Sequence, residues 1–178
     1  YLKTSRSGRA GGINLLAEGK QNFPAVYIPR NYELPPQADE NSLVICISYS
    51  GNTEETISCY KEATKRNLNP LVITTGGELK NLADESKIAE IPSGIQPRQA
   101  IGYQFSALLQ ILSNCGIVKD QSTALLALED SLQPEQLQEQ GKELGKQLSN
   151  KLPIIYASER FKALARIWKI KFNENAKS

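Results

Sequence analysis

Short apolar runs alternate with segments of helical pattern between Pro24 and Pro92. The apolar runs are PAVYIP, LVICIS, PLVITT and KIAEIP, and the helical segments among them are TEETISCYKEATKRN and GGELKNLADES. Strands of about five residues that alternate with helices are typical of βα units, in which parallel strands form a sheet covered by helices on both faces. The pattern therefore predicts an α/β domain.

Helical patterns continue beyond this region. The segment 98–115 has apolar residues at the spacing of an amphipathic helix, which should end before Gly116. Residues 119–150 are rich in Gln, Glu and Lys, and Pro134 is suited to the first turn of a helix that extends to about Leu148. We interpret this second region as a helical connector.

The βα pattern starts again after Pro153, where IIYAS predicts a strand and RFKALARIWKIKFNENAK predicts a helix. One face of that helix is apolar and is expected to be core: Phe161, Leu164, Ala165, Trp168 and Phe172. The predicted organisation is a first domain over 1–118, the connector over 119–151 and the beginning of a second domain over 152–178.

The charge distribution disfavours two classes of partner. The chain has 21 Lys and Arg against 19 Asp and Glu, and the basic residues are scattered along it. This pattern does not support binding to nucleic acid or to an anionic membrane surface. No apolar stretch approaches the roughly 18 residues that span a bilayer, and the N-terminus lacks a signal-peptide pattern. We expect neither a nucleic-acid partner nor a membrane partner.

The cysteines indicate a reducing compartment. Cys46, Cys59 and Cys115 are odd in number and lack metal-ligand spacing. Two of them lie in apolar surroundings, which fits buried reduced thiols better than a secreted disulfide framework. We therefore expect a cytoplasmic protein.

Two residue types are absent from the chain. It has no Met, and it stops at NENAKS directly after a strongly patterned segment, so we expect a fragment of a longer protein. It also has no His, the side chain that most often transfers protons near neutral pH. Acid–base chemistry within these residues must rest on carboxylates, Lys, Tyr or Cys.

A hydroxyl-rich stretch, SYSGNTEET, follows the apolar run SLVICI. It places Ser48, Ser50 and Thr53 around Gly51, where a strand stops and a helix starts. The free N–H groups and the dipole of a helix start attract anions, and each hydroxyl can donate a hydrogen bond to a phosphate oxygen. This loop, residues 48–53, is called the hydroxyl loop below, and it is a candidate phosphate site.

A simpler interpretation of the same stretch is a capped turn. Asn52 followed by Glu55 has the spacing of a capping box, and Ser, Gly and Asn are ordinary turn residues. Glu54 and Glu55 would also repel a phosphate unless their carboxylates point away. The local chemistry leaves both interpretations open.

The stretch SYSGNTEET resembles the phosphate loop of the sugar isomerase (SIS) domain. The stretches GIQPRQAIGY and WKIKFNENAK resemble the bifunctional phosphoglucose/phosphomannose isomerase family within that superfamily, and the resemblance extends from about Ala10 to Lys177. It implies an SIS-type parallel sheet flanked by helices, followed by the start of a second SIS domain. It also implies a homodimer that needs neither a metal nor an organic cofactor.

The implied activity is the interconversion of glucose 6-phosphate or mannose 6-phosphate with fructose 6-phosphate through a cis-enediol. By this resemblance Ser48, Ser50 and Thr53 hold the phosphate of the hexose. A serine of an N-terminal glycine-rich loop also contacts the phosphate in the family, and Ser7 is the weakest of these assignments because the register of that loop is ambiguous.

The resemblance assigns catalytic roles to Arg98 and Glu174. Arg98 would stabilise negative charge on the enediolate, and Glu174 would move a proton between C1 and C2. Without the resemblance, Arg98 reads as a surface residue near a helix start, and Glu174 could instead pair with Lys177 at i, i+3.

The family also uses a histidine and a lysine that would lie past Ser178. We therefore expect the isolated chain to bind sugar phosphates with little turnover. The alternative function is a non-catalytic sugar-phosphate sensor, although Arg98 and Glu174 in their motifs favour the enzyme. Amino-sugar chemistry on the same domain would call for an amide-donor site, which the sequence does not display.

Overall fold

The computed structural model describes the backbone of residues 2–3 and all atoms of residues 24–29 and 31–176. The chain divides into two compact units, Tyr1–Lys119 and Asp120–Ser178. Ser7, assigned to the phosphate site by resemblance, lies outside the described residues.

A three-stranded parallel sheet forms the centre of the first unit. Its strands are β4 (Ile45–Ile47), β5 (Leu71–Thr74) and β6 (Ile88–Glu90), in the order β4-β5-β6. Cys46 lies opposite Val72, which lies opposite Ile88. The predicted α/β class with a parallel sheet is confirmed.

Three helices flank this sheet at the positions that the sequence predicts. Helix α1 (Glu54–Lys65) follows β4 and packs against it. Helices α2 (Gly77–Leu82) and α3 (Ile101–Asn114) both pack against β5. A 3-10 turn, Pro97–Gln99, precedes α3, which ends before Gly116 as expected.

The run PAVYIP does not join the parallel sheet. It forms β2 (Ala25–Val26), which pairs antiparallel with β1 (Leu2–Lys3), and β1 pairs antiparallel with β3 (Ser42–Leu43). The run LVICIS is therefore divided between this small sheet and β4. A local apolar pattern indicates a strand, but long-range contacts decide which neighbour the strand takes, and the expected parallel pairing of PAVYIP is wrong.

The hydrophobic core of the first unit lies where the parallel sheet meets α1 and α2. Its central residues, Val72, Ile73 and Leu79, have no exposed surface. Cys46 and Cys59 are buried in this core and Cys115 is exposed, which confirms that two of the three thiols are buried and all three are free. The core fixes the carboxyl ends of the parallel strands, where the hydroxyl loop begins.

The second unit is helical. Its elements are α4 (Ser122–Ser131), α5 (Pro134–Leu148), a 3-10 turn (Glu159–Phe161) and α6 (Lys162–Lys171), which continues as a π-helix over Phe172–Ala176. The bounds of α5 are those that the sequence predicts. No described residue of this unit is buried.

Two expectations for the second unit are wrong. Residues 151–158 have no regular secondary structure, so IIYAS is not a strand. A strand needs a neighbour for its N–H and C=O groups, and the described residues of this unit contain no other strand. The apolar stripe of α6 is also not core, because Phe161, Leu164 and Trp168 are 50%, 51% and 44% exposed. Helical periodicity shows which face is apolar and not what covers it.

Among the described residues, no helix has the length and apolar character needed to cross a bilayer.

Candidate active site

The hydroxyl loop lies between β4 and α1, at the carboxyl edge of the parallel sheet. Ser48 extends the sheet by one residue, since its N–H donates to the carbonyl of Ile73 at 3.1 Å. Gly51 then takes a left-handed conformation with φ of 71°, which turns the chain into α1. Ligands of open α/β sheets bind at this edge, outside the carboxyl ends of the strands.

Ser48 braces the hydroxyl loop from the inside. Its side chain is 4% exposed. Its Oγ accepts a hydrogen bond from the N–H of Gly51 at 3.0 Å and lies 2.8 Å from Oγ1 of Thr53, where either atom can be the donor. The hydroxyls of Ser48 and Thr53 thus form a connected pair. If Ser48 is the donor, the hydroxyl proton of Thr53 is left for a ligand.

Ser50 and Thr53 are the exposed hydroxyls of the loop. The Oγ of Ser50 accepts from the N–H of Asn52 at 3.2 Å, which orients this hydroxyl and leaves its proton to be donated outward. Thr53 is the N-cap residue of α1, and no side chain caps that helix end. The structure therefore brings two exposed hydroxyls to a helix start that lacks a side-chain cap.

The capping-box interpretation of Asn52 is wrong. Its Oδ1 accepts a hydrogen bond from the N–H of Glu78 at 2.9 Å, in the first turn of α2. One of the two acidic residues that could repel a phosphate is engaged elsewhere, because Glu54 Oε2 accepts a hydrogen bond from the hydroxyl of Tyr32 at 3.2 Å. The charge of Glu55, together with that of Glu54, raises the pKa of Tyr32.

The hydroxyl loop packs backbone to backbone against the loop that follows β5. A Cβ atom added to Gly51 would lie 1.8 Å from the carbonyl oxygen of Gly76, and one added to Gly77 would lie 2.3 Å from that of Ser50. The N–H of Leu79 donates to the carbonyl of Gly51 at 2.9 Å. Gly76 and Gly77 were not among the predicted site residues, although two glycines one residue after a buried strand are a usable signal of a close backbone contact.

Arg98 lies in the first unit, within the 3-10 turn that precedes α3, and it is exposed. A short irregular segment, residues 91–96, connects the carboxyl end of β6 to this turn. Parallel strands place their carboxyl ends at the same sheet edge, so Arg98 and the hydroxyl loop both follow strands that end at this edge.

Glu174 belongs to the second unit. It is exposed in the π-helix that ends α6, and it lines a depression of about 420 Å³. The other residues that line this depression are Arg166, Lys169, Ile170 and Asn173. Single π-helical turns often occur at functional sites. Lys177, the alternative partner of Glu174, lies outside the described residues.

Comparison with known families identifies two matches. The SIS domain family matches residues 20–113, and the family described as the bacterial phospho-glucose isomerase C-terminal SIS domain matches residues 137–178. The second match begins within α5, in the region that the sequence analysis interprets as a connector.

Three curated relatives illustrate the similarity. The bifunctional phosphoglucose/phosphomannose isomerase of Aquifex aeolicus is 40% identical, over 85% of this chain and 47% of its own length. The protein of the same name from Caldicellulosiruptor bescii is 39% identical, over 98% of this chain and 56% of its own. The D-glucosamine-6-phosphate 4-epimerase of Sulfolobus acidocaldarius is 35% identical, over 99% and 56%. The chain spans about half the length of the curated relatives it matches, and the resemblance to these isomerases is confirmed.

Proposed function

The chain belongs to the SIS domain family, and we propose that it functions in the aldose–ketose isomerisation of hexose 6-phosphates, interconverting glucose 6-phosphate or mannose 6-phosphate with fructose 6-phosphate. The observation that carries the proposal is the geometry of the hydroxyl loop. Ser50 and Thr53 are exposed at the start of α1, and the hydroxyl of the buried Ser48 is hydrogen-bonded to that of Thr53. Two relatives named bifunctional phosphoglucose/phosphomannose isomerase support the choice of reaction.

The phosphate of the hexose is the group that this loop suits. A phosphate accepts hydrogen bonds at several oxygens, and the loop offers hydroxyl donors together with the partial positive charge of a helix start. The carboxylate of Glu54 accepts a hydrogen bond from the hydroxyl of Tyr32, which orients it toward that residue. In this proposal Ser50 and Thr53 donate hydrogen bonds to the phosphate. Ser48 contributes from within the loop, through its hydrogen bond with Thr53.

The proposed chemistry moves one proton between neighbouring carbons of the open-chain sugar. A carboxylate, assigned to Glu174, takes the proton from C2 of the aldose to give a cis-enediolate with its negative charge on O1. After the proton of the C2 hydroxyl has passed to O1, the carboxylic acid returns its proton to C1 to give the ketose. Negative charge develops on the oxygens during these steps, and the permanent positive charge of Arg98 would stabilise it. The roles of Glu174 and Arg98 rest on the family resemblance of their motifs.

Proton exchange measured by NMR in deuterium oxide tests the proposal, with this chain and with any longer natural protein that contains it. With whichever of these proteins has isomerase activity, fructose 6-phosphate should gain deuterium and convert to an aldose. In that protein Glu174→Gln should lower kcat by about 10³-fold with a KM near that of the wild type, because it removes the base and not the binding groups. Glu143→Gln on α5 is the matched control. Equal turnover by Glu174→Gln would contradict the assignment.

A second candidate is an epimerase of amino-sugar phosphates. The relative named D-glucosamine-6-phosphate 4-epimerase is similar to 99% of this chain, and its name specifies a phosphorylated substrate that the same loop could hold. Incubation with glucosamine 6-phosphate separates the two candidates. Conversion of this sugar to its C4 epimer, with fructose 6-phosphate unchanged, would favour the epimerase. Binding of either sugar phosphate without conversion by a longer natural protein that contains this chain would favour a sensor.

We also propose a homodimer in the cytoplasm. The dimer rests on the family resemblance, and the compartment on the free thiols, two of which are buried. Sedimentation velocity of the purified protein across a range of concentrations tests for the homodimer.

A further inference from the structure

Tyr49 is hydrogen-bonded to the segments that follow both of the other parallel strands. Its carbonyl oxygen accepts from the N–H of Thr75 at 3.0 Å and from the hydroxyl of Thr75 at 2.7 Å. Its phenolic hydroxyl donates to the carbonyl of Pro92 at 3.3 Å and accepts from the N–H of Ile95 at 3.3 Å. Thr75 follows β5, and Pro92 and Ile95 follow β6, so one residue of the hydroxyl loop contacts the segments after both of the other parallel strands.

The contact to Pro92 and Ile95 matters because their segment is otherwise exposed. Residues 92–99 are all exposed and those from 92 to 96 form no helix or strand, and Gly94 has φ of 95°. Among the described residues, Tyr49 makes the hydrogen bonds that join Pro92 and Ile95 to the rest of the first unit. The hydroxyl acts as donor and acceptor at once, which a phenylalanine cannot do.

Arg98 lies three residues beyond Ile95. The 3-10 turn that carries it starts directly after Gln96, whose carbonyl accepts from the N–H of Gln99 at 2.8 Å. Ile95 is therefore the residue directly before the N-cap of this turn, and its hydrogen bond to Tyr49 ties that end of the turn to the hydroxyl loop, while the buried Ala100 anchors the other end. Tyr49, the partner of Ile95 in this contact, lies between Ser48 and Ser50 in the hydroxyl loop.

We propose that Tyr49 is a positioning residue that fixes the turn carrying Arg98 relative to the hydroxyl loop. This inference rests on the proposed function, in which the loop anchors the phosphate and Arg98 acts at the other end of the hexose. A small displacement of Arg98 then weakens its interaction with the reacting oxygens without changing phosphate binding. Tyr49 contacts neither end of the substrate in this account.

Titration calorimetry with two probes tests the role. Inorganic phosphate reports on the hydroxyl loop alone, whereas 5-phosphoarabinonate, whose carboxylate mimics the enediolate, also engages Arg98. Tyr49→Phe should weaken 5-phosphoarabinonate binding by about tenfold and leave phosphate binding within about twofold, since it removes two hydrogen bonds remote from the phosphate. Equal weakening for both probes would overturn the role. Tyr60→Phe is the matched control, because it removes from a core tyrosine a hydroxyl that donates to the carbonyl of Leu82.

Double substitution provides a sharper readout. If Tyr49 acts through Arg98, the effects of Tyr49→Phe and Arg98→Lys on 5-phosphoarabinonate binding should not add, and the double variant should bind about as weakly as Arg98→Lys alone. Full additivity would overturn the inference, because residues that act independently give additive effects.

Hydrogen exchange tests the contact without any ligand. The amide of Ile95 should exchange faster in Tyr49→Phe than in the wild type or in Tyr60→Phe, while the amide of Thr75, which bonds to the backbone of Tyr49, keeps its protection. Unchanged exchange at Ile95 would overturn the positioning role of Tyr49 and leave the proposed function untouched. Failure of the wild type to bind either probe would instead remove the proposed function.

Discussion

The side-chain oxygen of Asn52 accepts a hydrogen bond from the backbone N–H of Glu78 at 2.9 Å, across 26 residues of sequence. Asn52 stands next to Gly51 in the hydroxyl loop, yet the helix that it caps is α2 and not α1. The loop and the start of α2 are therefore coupled by a side chain as well as by the close backbone contact at Gly51. A substitution at Asn52 should consequently affect both stability and the binding of an anion.

Substitution of Asn52 separates these two effects. Asn52→Ala removes the acceptor for Glu78 and should lower the free energy of unfolding by about 1 kcal/mol. Asn52→Asp keeps an acceptor oxygen and should retain most of this stability, but its negative charge should weaken binding of fructose 6-phosphate at the hydroxyl loop. Urea denaturation measures the first effect and titration calorimetry the second. Equal stability losses for both variants would show that the cap does not stabilise the fold.

Gly51 in the hydroxyl loop should be harder to replace than Gly94. Gly51→Ala adds the strain of a left-handed φ, about 1–2 kcal/mol, to a clash with the carbonyl oxygen of Gly76. Gly94 also has a positive φ, but a Cβ added there would meet no heavy atom within 4 Å. Gly94→Ala therefore adds backbone strain without a clash. Thermal denaturation should therefore show a much larger loss for Gly51→Ala than for Gly94→Ala. Equal losses would mean that the hydroxyl loop and the loop after β5 move apart at little cost, so that the clash with Gly76 is relieved.

The three thiols should differ in reactivity. Burial raises the pKa of Cys46 to about 12 and also raises the pKa of Cys59, whereas Cys115 is exposed. Only a thiolate reacts rapidly, so at pH 8 an aromatic disulfide reagent should modify one thiol of the folded chain quickly and the others on unfolding. Cys115→Ser should abolish the fast phase. A fast phase that persists in Cys115→Ser would contradict the buried positions of the other two.

The raised pKa of Cys46 also gives a sign for the dependence of stability on pH. The ordinary pKa is 9.0 and the folded value is about 12. Below pH 9 the thiol is protonated in both states and contributes no pH dependence. As the pH rises from 9 toward 12 the unfolded state loses its proton first, so stability falls. Cys46→Ala should show a shallower decline in urea midpoints over this window, and an identical decline would contradict the assignment.

Features that depend on nearby residues could be predicted from the sequence. The bounds of α5 follow from Pro134 and the spacing of its leucines, and the hydroxyl loop follows from a strand that stops at Ser48. Features set by distant partners could not. Nothing near Asn52 indicates that its acceptor belongs to Glu78, and nothing near Tyr49 indicates that its hydroxyl bonds to Pro92 and Ile95.

The errors have the same physical origin. PAVYIP has the composition of a strand, but its sheet is determined by pairing with residues 2–3, far away in sequence. Residues 154–158 have a strand pattern, but the described part of their unit, residues 120–176, contains no strand beside them, and backbone hydrogen bonds require that neighbour. The spacing of apolar residues in α6 predicts its apolar stripe, whereas the burial of that stripe depends on what packs against it.

Titration of the folded chain with fructose 6-phosphate tests the central claim, that the hydroxyl loop binds a sugar phosphate. The wild type should bind saturably, and Ser50→Ala should weaken binding by about tenfold or more, because it removes a hydrogen bond to a charged oxygen. Ser106→Ala, which removes an exposed hydroxyl on α3, is the control and should bind as the wild type does. Unchanged affinity in a folded Ser50→Ala variant would contradict the claim.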